Sequence, residues 1–406
     1  MREEKKKRLW IACELYYPED NTTGFYMTRL AEGLAPNLDV HALCGQPNYH
    51  RRGQRAPKKE RRNGVSIFRV SSTTFDKNIA LLKIINMISL SLSMFLGGLR
   101  WFRKGDTVLI VSAPPTILFT VGLAALLKGC SYKLLIHDNY PEMLVAAGTI
   151  SKDSFWENLY NFLNRWLYKY ASRVIVVGRD MAETADRKVK GFDIQVSVIP
   201  NWAELESVSP QEKSENVLLA SLGLSEKFVL LYAGNMGYPQ DIHSIYEASQ
   251  RLSDLDDVHF LFLGSGTKRR VLEAMIERDE PSNITLLPAQ PRENQKDFLN
   301  ACDIAFVSLI EKMKGVSVPS RTYNIMAAGK PILAITESGS EISQIIAEEN
   351  NGWTVRPGKA DELERVIREI YSRRTSLSEI GELSRRAAVG KYSEALAVQR
   401  YLEILQ

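Results

Sequence analysis

Glycine-rich turns that follow apolar, strand-like segments are the first candidates for chemistry in this sequence. The segment KFVLLYAG leads into residues 234–237 (GNMG), and HFLFLG leads into residues 264–266 (GSG). Because glycine has no Cβ, backbone N–H groups in such turns can approach a phosphate closely. We therefore interpret both turns as candidate phosphate-binding loops. Tight turns also need glycine for their own geometry, so a purely structural role stays open.

One arginine stands where a predicted helix begins. Ser320 can cap a helix that continues to Gly329, and Arg321 lies in its first turn. Positive charge opposes the helix dipole at this end, so an anionic ligand would explain the arginine. A diphosphate fits, with Arg321 as the bidentate cation that neutralises the leaving group.

Two polar loops in the first half of the chain are candidates for binding a second substrate. His137 and Asp138 follow the strand-like segment YKLLI and head a loop that reaches Glu142. They are predicted to act in general acid/base catalysis or to contact sugar hydroxyls. A histidine beside an aspartate is more often structural, and that alternative stays open. The second loop, residues 21–24, follows the first predicted strand.

The composition gives no sign of a metal site. The four cysteines are scattered without CxxC spacing, which indicates buried thiols in a reducing compartment. No acidic pair stands at the end of a predicted strand, so no metal and no cofactor are expected.

Apolar runs alternate with helix-period segments from residue 8 onwards, the pattern of parallel sheets with crossover helices. Seven strand candidates predict a doubly wound domain over residues 1–203. About six more predict a second such domain over residues 204–388. A last helix, residues 389–406, is predicted to pack back toward the first domain. Ligands would bind beyond the carboxyl ends of the strands, in a cleft between the two domains.

Residues 84–99 break this pattern, because they contain no charged residue. A membrane-spanning helix needs about 20 apolar residues, so this segment suits a helix in the membrane interface or one buried by a partner. Basic residues crowd into residues 2–8 and 51–62. We predict membrane-surface contact through residues 51–102. An unusually apolar packing helix is the alternative.

The start of the chain lacks the apolar core of a signal peptide. We therefore expect a cytoplasmic protein, peripheral to the inner face of the membrane. The net charge is +4 and the basic clusters lack interleaved aromatic residues, so nucleic acid is not an expected partner.

Several segments, in order, resemble the retaining glycosyltransferases of family 4, in the branch that makes bacterial surface polysaccharides. They are residues 17–24, 136–138, 198–202, 231–237 and 318–331. The resemblance implies the GT-B fold, two Rossmann-like domains that face each other across a cleft. It also implies transfer with retention of anomeric configuration, and a contact of His137 with the transferred sugar.

The sequence departs from this family at four charged positions. Asn235 and Gln240 stand where many members have arginine and lysine that hold the diphosphate, and Val316 and Asn324 replace paired glutamates. Asn324 could still bond a ribose or sugar hydroxyl. The cations left for the phosphates are Arg321, Lys314 and Arg292.

The prediction is a metal-independent hexosyl- or acetamido-sugar transferase that uses a nucleotide-diphosphate-sugar, with UDP favoured. The acceptor would be a glycan or a lipid-linked glycan in cell-surface polysaccharide biosynthesis. Two alternatives stay open: a non-catalytic partner subunit of a membrane enzyme, and a nucleotide-sugar 2-epimerase. The missing charges favour the first alternative, whereas the apolar segment argues against the second.

The predicted site residues fall into three groups. The catalytic candidates are His137 and Asp138. Donor binding is assigned to Gly24, Asn201, Gly234, Asn235, Gly237, Ser265, Gly266, Pro288, Ala289, Ser320, Arg321, Tyr323 and Asn324. Acceptor binding is assigned to Asn21, Thr22, Thr23 and Glu142.

Overall fold

A computed structural model describes residues 6–48, 54–75 and 79–406 of the chain. Contacts divide the chain into two compact units. Unit 1 comprises Met1–Glu142, Ile150–Pro200 and Ala397–Gln406, and unit 2 comprises Met143–Thr149 and Asn201–Leu396. The first boundary falls three residues before the predicted one, because Ala203 already pairs with Ser393 of unit 2.

Unit 1 is built on one eight-stranded sheet. Its strands are β1 (Arg8–Cys13), β2 (Asp39–Cys44), β3 (Lys59–Arg62), β4 (Val65–Arg69), β5 (Thr107–Val111), β6 (Ser131–Ile136), β7 (Arg173–Val176) and β8 (Val196–Val198). Their order is β3-β4-β2-β1-β5-β6-β7-β8. Only β3 is antiparallel to its neighbour.

Strand β3 is absent from the prediction of seven strands. Its four residues, Lys-Glu-Arg-Arg, are all charged, so no apolar alternation marks the strand in the sequence. It lies at the edge of the sheet, where charged side chains discourage pairing with another chain. The basic cluster predicted at residues 51–62 is therefore partly an edge strand. Its first two arginines, like residues 2–5, lie outside the described residues.

The helices of unit 1 connect these strands. They are α1 (Thr22–Leu34), α2 (Ala80–Trp101), α3 (Thr116–Leu127), α4 (Glu142–Ala146), α5 (Phe155–Lys169) and α6 (Arg179–Val189), and most of α4 groups with unit 2. Right-handed crossovers place α2, α3, α5 and α6 on the same face of the sheet, because their connections all run in one direction across it.

Helix α2 is longer than the charge-free segment that predicts it. It has 22 residues, because the helix extends past the charged residues Lys83 and Arg100 that bound the apolar segment. By length and composition alone, Leu81–Trp101 could cross a membrane, and 33% of its most apolar stretch is buried. The expectation that this segment is too short for a span is therefore wrong for the helix as a whole.

Unit 2 contains the predicted second parallel sheet. Its strands are β9 (Phe228–Ala233), β10 (Val258–Leu263), β11 (Ile284–Leu287), β12 (Ile304–Ser308), β13 (Ile332–Ile335) and β14 (Gly352–Val355), in the order β11-β10-β9-β12-β13-β14. Every residue of β9, β10 and β12 is buried. Parallel strands covered on both faces become continuous apolar runs in the sequence, which is why they were predicted.

Nine helices complete the described part of the fold. They are α7 (Val217–Leu222), α8 (Ile242–Arg251), α9 (Arg269–Asp279), α10 (Gln295–Asn300), α11 (Arg321–Ala327), α12 (Glu341–Glu349), α13 (Ala360–Ser372), α14 (Leu377–Lys391) and α15 (Glu394–Leu405). Residues from Ala397 onwards group with unit 1, where Val398 packs against Gly33 of α1. The predicted α/β fold with two doubly wound sheets is confirmed.

Candidate active site

The two glycine turns of unit 2 pack directly on each other at the carboxyl ends of β9 and β10. The N–H of Met236 donates to the carbonyl of Ser265 at 2.6 Å. A Cβ on Gly264 would lie 1.9 Å from the carbonyl oxygen of Gly234, and one on Gly266 would lie 2.6 Å from that of Met236. Both glycines have positive φ. They are therefore required by the close approach of the two turns.

Arg321 is fixed against the first of these turns. Its Nη1 donates to the carbonyl of Ala233 at 3.2 Å, and its Nη2 to that of Asn235 at 3.1 Å. The guanidinium carbon lies 4.8 Å from the centroid of the Tyr232 ring, and 3.0 Å from where a Cβ on Gly234 would stand. The side chain is partly exposed and keeps further N–H donors. A rigid cation therefore lies beside the turn.

The helix that carries Arg321 differs from its prediction. It has seven residues and ends at Ala327, before the predicted end at Gly329. Ser320 occupies the N-cap position, but its side chain makes no capping hydrogen bond. The predicted dipole site at this terminus is therefore not supported, and the case for Arg321 rests on its contacts with the glycine turn.

Lys268 is a cation that the sequence analysis missed. Its Nζ donates to the carbonyl of Gln240 at 2.6 Å and lies 5.4 Å from the centroid of the Tyr238 ring. No carboxylate of the described residues is within ion-pair distance of it. Burial lowers its pKa, which nearby Asp241 raises in part. The sequence signal that could have identified Lys268 is its position just after the glycine turn at residues 264–266.

The end of β11 is also held in place. Arg269 donates from Nη1 to the carbonyl of Gly264 at 2.9 Å and to the carbonyl of Leu287. Pro288 and Ala289 follow that strand and are exposed. Their predicted role in donor binding stays a prediction.

Three predicted donor-binding residues of unit 2 are instead built into its interior. Tyr323 is fully buried and packs on Tyr392, with ring centroids 5.2 Å apart. Asn324 is 5% exposed, and Asn201 is buried as well. The Tyr323 side chain therefore cannot reach a nucleotide, and its prediction is wrong because the ring packs inside the unit.

The side chain of Asn324 is already hydrogen-bonded to Glu204. Its Oδ1 accepts from the N–H of Glu204 at 2.9 Å, and its Nδ2 donates to the Glu204 carboxylate. The Nε of Arg292 bonds the same carboxylate at 3.0 Å. Asn324 and Arg292 thus hold a buried carboxylate, so neither is free for the sugar or the phosphates as predicted. Val316, the other replaced position, lies in a small apolar cluster with Leu309 and Met313.

In unit 1, Ser112 joins the carboxyl ends of β5 and β6. Its Oγ accepts from the N–H of His137 at 2.9 Å and from that of Asp138 at 3.3 Å. His137 as a whole residue is partly exposed, but its Nε2 is buried and has no hydrogen-bond partner among the described residues. A buried nitrogen without a partner is rare, and a ligand hydroxyl would satisfy it.

Burial lowers the pKa of His137 to about 4. The imidazole is therefore neutral at pH 7. It can exchange a hydrogen bond with a sugar hydroxyl, but it is not charged there for use as a general acid. The neutral ring and its buried, unpartnered Nε2 suit the predicted hydroxyl contact, and the general acid/base role of His137 and Asp138 stays a prediction.

The lowered pKa values of His137 and the buried His259, both about 4, predict acid sensitivity. For each histidine, the free energy of unfolding should be highest above pH 6.5, the ordinary pKa of histidine, and should fall as the pH drops toward 4. The reason is that the unfolded chain binds the proton first. The loss is at most about 3 kcal/mol per histidine. Urea unfolding of His137→Gln between pH 7 and 4 should show a shallower decline. His243→Gln, at an exposed histidine, is the control, and its free energy of unfolding should decline with pH as in the wild type.

Two predicted site residues at the start of α1, Asn21 and Gly24, have structural roles. The Oδ1 of Asn21 accepts from the N–H of Gly24 at 3.0 Å and caps α1. A Cβ on Gly24 would lie 2.7 Å from the carbonyl of Glu19, so the chain itself requires that glycine. Thr22 is exposed and Thr23 is partly exposed.

Glu142 neutralises a buried cation. Its Oε2 lies 2.6 Å from Nζ of Lys188, which also donates to the carbonyl of Tyr140 at 2.8 Å. Burial lowers the pKa of Lys188, and the Glu142 carboxylate opposes that shift. Glu142 is therefore not the free acceptor-binding carboxylate that the sequence predicts. Among the described residues, no group of three or more potential metal ligands occurs.

The two parallel sheets, with a fixed cation beside glycine turns in the second, define the class of this protein. It has the GT-B architecture of glycosyltransferases with two Rossmann-like domains. Residues 21–202 match the glycosyl transferase 4-like domain, and residues 217–387 match the glycosyl transferases group 1 family.

The chain belongs to the family 4 glycosyltransferases. It is 34% identical over 299 residues to "Probable glycosyltransferase WbjE" of Pseudomonas aeruginosa, 74% of each chain. It is 24% identical over 345 residues to "Putative colanic acid biosynthesis glycosyl transferase WcaI" of Escherichia coli K12, 81% of this chain and 83% of that one.

Solved structures share the fold at low identity. HepE of Anabaena in complex with UDP is 14% identical, with a TM-score of 0.69, covering 98% of this chain and 99% of that one. Its complex with UDP-glucose gives a TM-score of 0.68 at 13% identity, with the same coverage.

Proposed function

We propose that the protein transfers a sugar from a UDP-sugar to a glycan acceptor in the biosynthesis of a cell-surface polysaccharide. The observation that carries the donor half of this proposal is Arg321, held by two carbonyls against a glycine turn in unit 2. The nucleotides in the HepE complexes, and the name of the colanic acid relative, support the base and the pathway class.

The diphosphate would lie over the turns at residues 234–237 and 264–266. Backbone N–H groups reach it there, because the glycines leave the approach open. Arg321 and Lys268 provide positive charge at the two turns, and no carboxylate in the described part of the chain is paired to either of them. They replace the charge that Asn235 and Gln240 do not offer, and no metal ion is then needed.

The same cations would promote departure of the diphosphate. In a retaining transfer, the bond from the anomeric carbon to the diphosphate oxygen breaks, and the acceptor oxygen bonds to that carbon on the same face. The acceptor proton moves to the departing diphosphate. Arg321 and Lys268 stabilise the charge that develops on the diphosphate as the bond breaks.

Unit 1 would supply the contacts to the sugar and the acceptor. The buried Nε2 of neutral His137 is assigned to a sugar hydroxyl. The exposed Thr22 and the partly exposed Thr23 are polar groups at the start of α1 that an acceptor can meet.

We also propose that the protein works at the cytoplasmic face of a membrane, on a lipid-linked acceptor. The support is the exposed apolar surface of α2 together with its terminal cations, Lys83 and Arg100. An apolar helix with cationic ends suits the interface between headgroups and acyl chains.

A second candidate is a non-catalytic partner subunit, and one observation favours it. The two positions predicted from the family to carry glutamates hold the buried Val316 and the Asn324 that bonds Glu204. A subunit of this kind would bind no nucleotide, or bind one without turnover.

Replacing Lys268 tests whether it carries part of the phosphate charge. Lys268→Ala should raise the KM for the UDP-sugar about tenfold, because one charge-assisted contact to the diphosphate is lost. Steady-state kinetics of UDP release measures this. Arg278→Ala, an exposed cation near the other end of α9, is the matched control and should leave the KM unchanged. An unchanged KM for Lys268→Ala would remove it from the site.

The proposed reaction is tested with UDP-, GDP-, ADP- and CDP-sugars, a membrane lipid extract as acceptor, and EDTA throughout. We expect UDP release that depends on the lipid extract, and an extracted glycolipid whose anomeric configuration, by NMR, matches that of the donor. Inversion would overturn the retaining mechanism. Nucleotide binding without any product would favour the partner subunit.

A further inference from the structure

Exposed apolar side chains are concentrated on three helices of unit 1. Among the described residues, 21 large hydrophobic side chains are exposed, and 13 of these lie on α2, α3 and α5. Unit 2 contributes only four, scattered along its chain. Single exposed hydrophobic residues are ordinary, but a concentration of this kind marks an interaction surface.

The three helices are neighbours in one layer. Ser91 of α2 and Thr116 of α3 share a hydrogen bond of 2.7 Å, and the α2 backbone at Gly98 comes close to Ala124 of α3. The rings of Phe119 on α3 and Tyr160 on α5 lie 5.9 Å apart. The three helices therefore lie side by side, with their exposed apolar side chains on the outer surface of this layer.

Helices α3 and α5 lie outside the predicted segment 51–102, and α5 has most of the exposed apolar side chains of the two. Its side chains at positions 155, 156, 159, 162 and 163 recur at helical spacing, and all are exposed. Phe155, Trp156 and Phe162 are the most exposed of them, at 71%, 64% and 70%. Nearer its C-terminal end, α5 buries Leu167 and Tyr168 within the unit. The helix therefore has apolar residues both in the core and at the surface.

An open groove runs between α2 and α3 on this face. It encloses about 430 Å³, and its surface is almost wholly apolar. Ile88, Leu92 and Phe95 line it from α2, and Thr120 and Leu123 line it from α3. A groove of this character suits a hydrocarbon chain.

The charges around this face are mainly positive. Helices α2 and α3 contain no acidic residue, and exposed cations stand at the termini, with Lys83 and Arg100 on α2 and Lys169 on α5. Glu157 is the one acidic residue of α5. This pattern complements anionic lipid headgroups around inserted apolar side chains.

We propose that α2, α3 and α5 together form one docking face for an anionic phospholipid bilayer, with the aromatic side of α5 as a second insertion element beside α2. Acyl chains occupy the groove between α2 and α3. The inference deepens the membrane part of the proposed function, but it does not depend on sugar transfer.

The test is flotation of the full chain with vesicles of phosphatidylcholine, with or without 30% phosphatidylglycerol. The wild type should float with the anionic vesicles. Trp156→Ser/Phe162→Ser should reduce partitioning at least tenfold. The matched control, Val217→Ser/Val271→Ser, removes two exposed hydrophobic residues from unit 2 and should float like the wild type.

Tryptophan fluorescence locates the contact on α5. Trp156 is the only one of the six tryptophans that is largely exposed. Brominated lipids should quench the wild type, whereas Trp156→Phe should float normally and lose most of the quenching. Equal flotation of the Trp156→Ser/Phe162→Ser variant and the wild type would remove α5 from the face. No flotation of a wild type that releases UDP normally would overturn the bilayer as the occupant and point to a protein partner.

Discussion

Arg321→Ala is expected to lower kcat/KM for the UDP-sugar by about two to three orders of magnitude. The guanidinium is held at the glycine turn by hydrogen bonds to the carbonyls of Ala233 and Asn235, and it has further N–H donors beyond those two. A preorganised cation acts most strongly on charge that develops as the leaving group departs. Steady-state kinetics with saturating acceptor measures the effect.

Arg321→Lys is the matched variant. It keeps the charge but loses the planar fork that spans the two carbonyls, so its activity should fall between the alanine variant and the wild type. Circular dichroism confirms the fold of each variant. Wild-type kinetics in a folded Arg321→Ala protein would exclude this arginine from the donor site.

Gly264→Ala is expected to destabilise the protein by more than about 3 kcal/mol and to abolish nucleotide binding. The new methyl group would stand 1.9 Å from the carbonyl oxygen of Gly234, at a backbone φ of +156° that suits glycine alone. Both neighbouring strands are fully buried, so the turns cannot separate without disturbing the core. Urea unfolding measures the change in the free energy of unfolding.

The control for backbone conformation is Gly105→Ala. Gly105 also has positive φ, but a Cβ there would meet nothing within 4 Å. Its cost should therefore be only the conformational penalty of roughly 1–2 kcal/mol. Equal destabilisation by the two substitutions would show that the close approach of the turns contributes little.

The parts of the fold that the sequence predicts are those where burial leaves a local pattern. Strand β9 is six consecutive buried residues, and the glycines after it stand where the turns need them. Strand β3 was missed because four charged residues at a sheet edge carry no such pattern. Helix α5 shows periodicity, but periodicity alone does not say which apolar side faces solvent.

The missed and mistaken site residues depend on contacts between distant positions. Lys268 meets the carbonyl of Gln240, 28 residues away, and Asn324 meets Glu204 across 120 residues. A single sequence contains no spacing pattern that predicts contacts between such distant residues. Arg321 could be found because its charge at a predicted helix start was unusual by itself. In the structure, the case for Arg321 rests on its contacts with the glycine turn and no longer on its place at the helix start.

Binding of the nucleoside diphosphates tests the central claim most directly. Isothermal titration of the full chain with UDP, GDP, ADP and CDP, in EDTA, reports the base, the need for metal and the affinity together. We predict that UDP binds without metal, and that Arg321→Ala and Lys268→Ala each weaken it. A well-folded protein that binds none of the four, or that binds UDP equally well after both cations are removed, would contradict the proposed donor site.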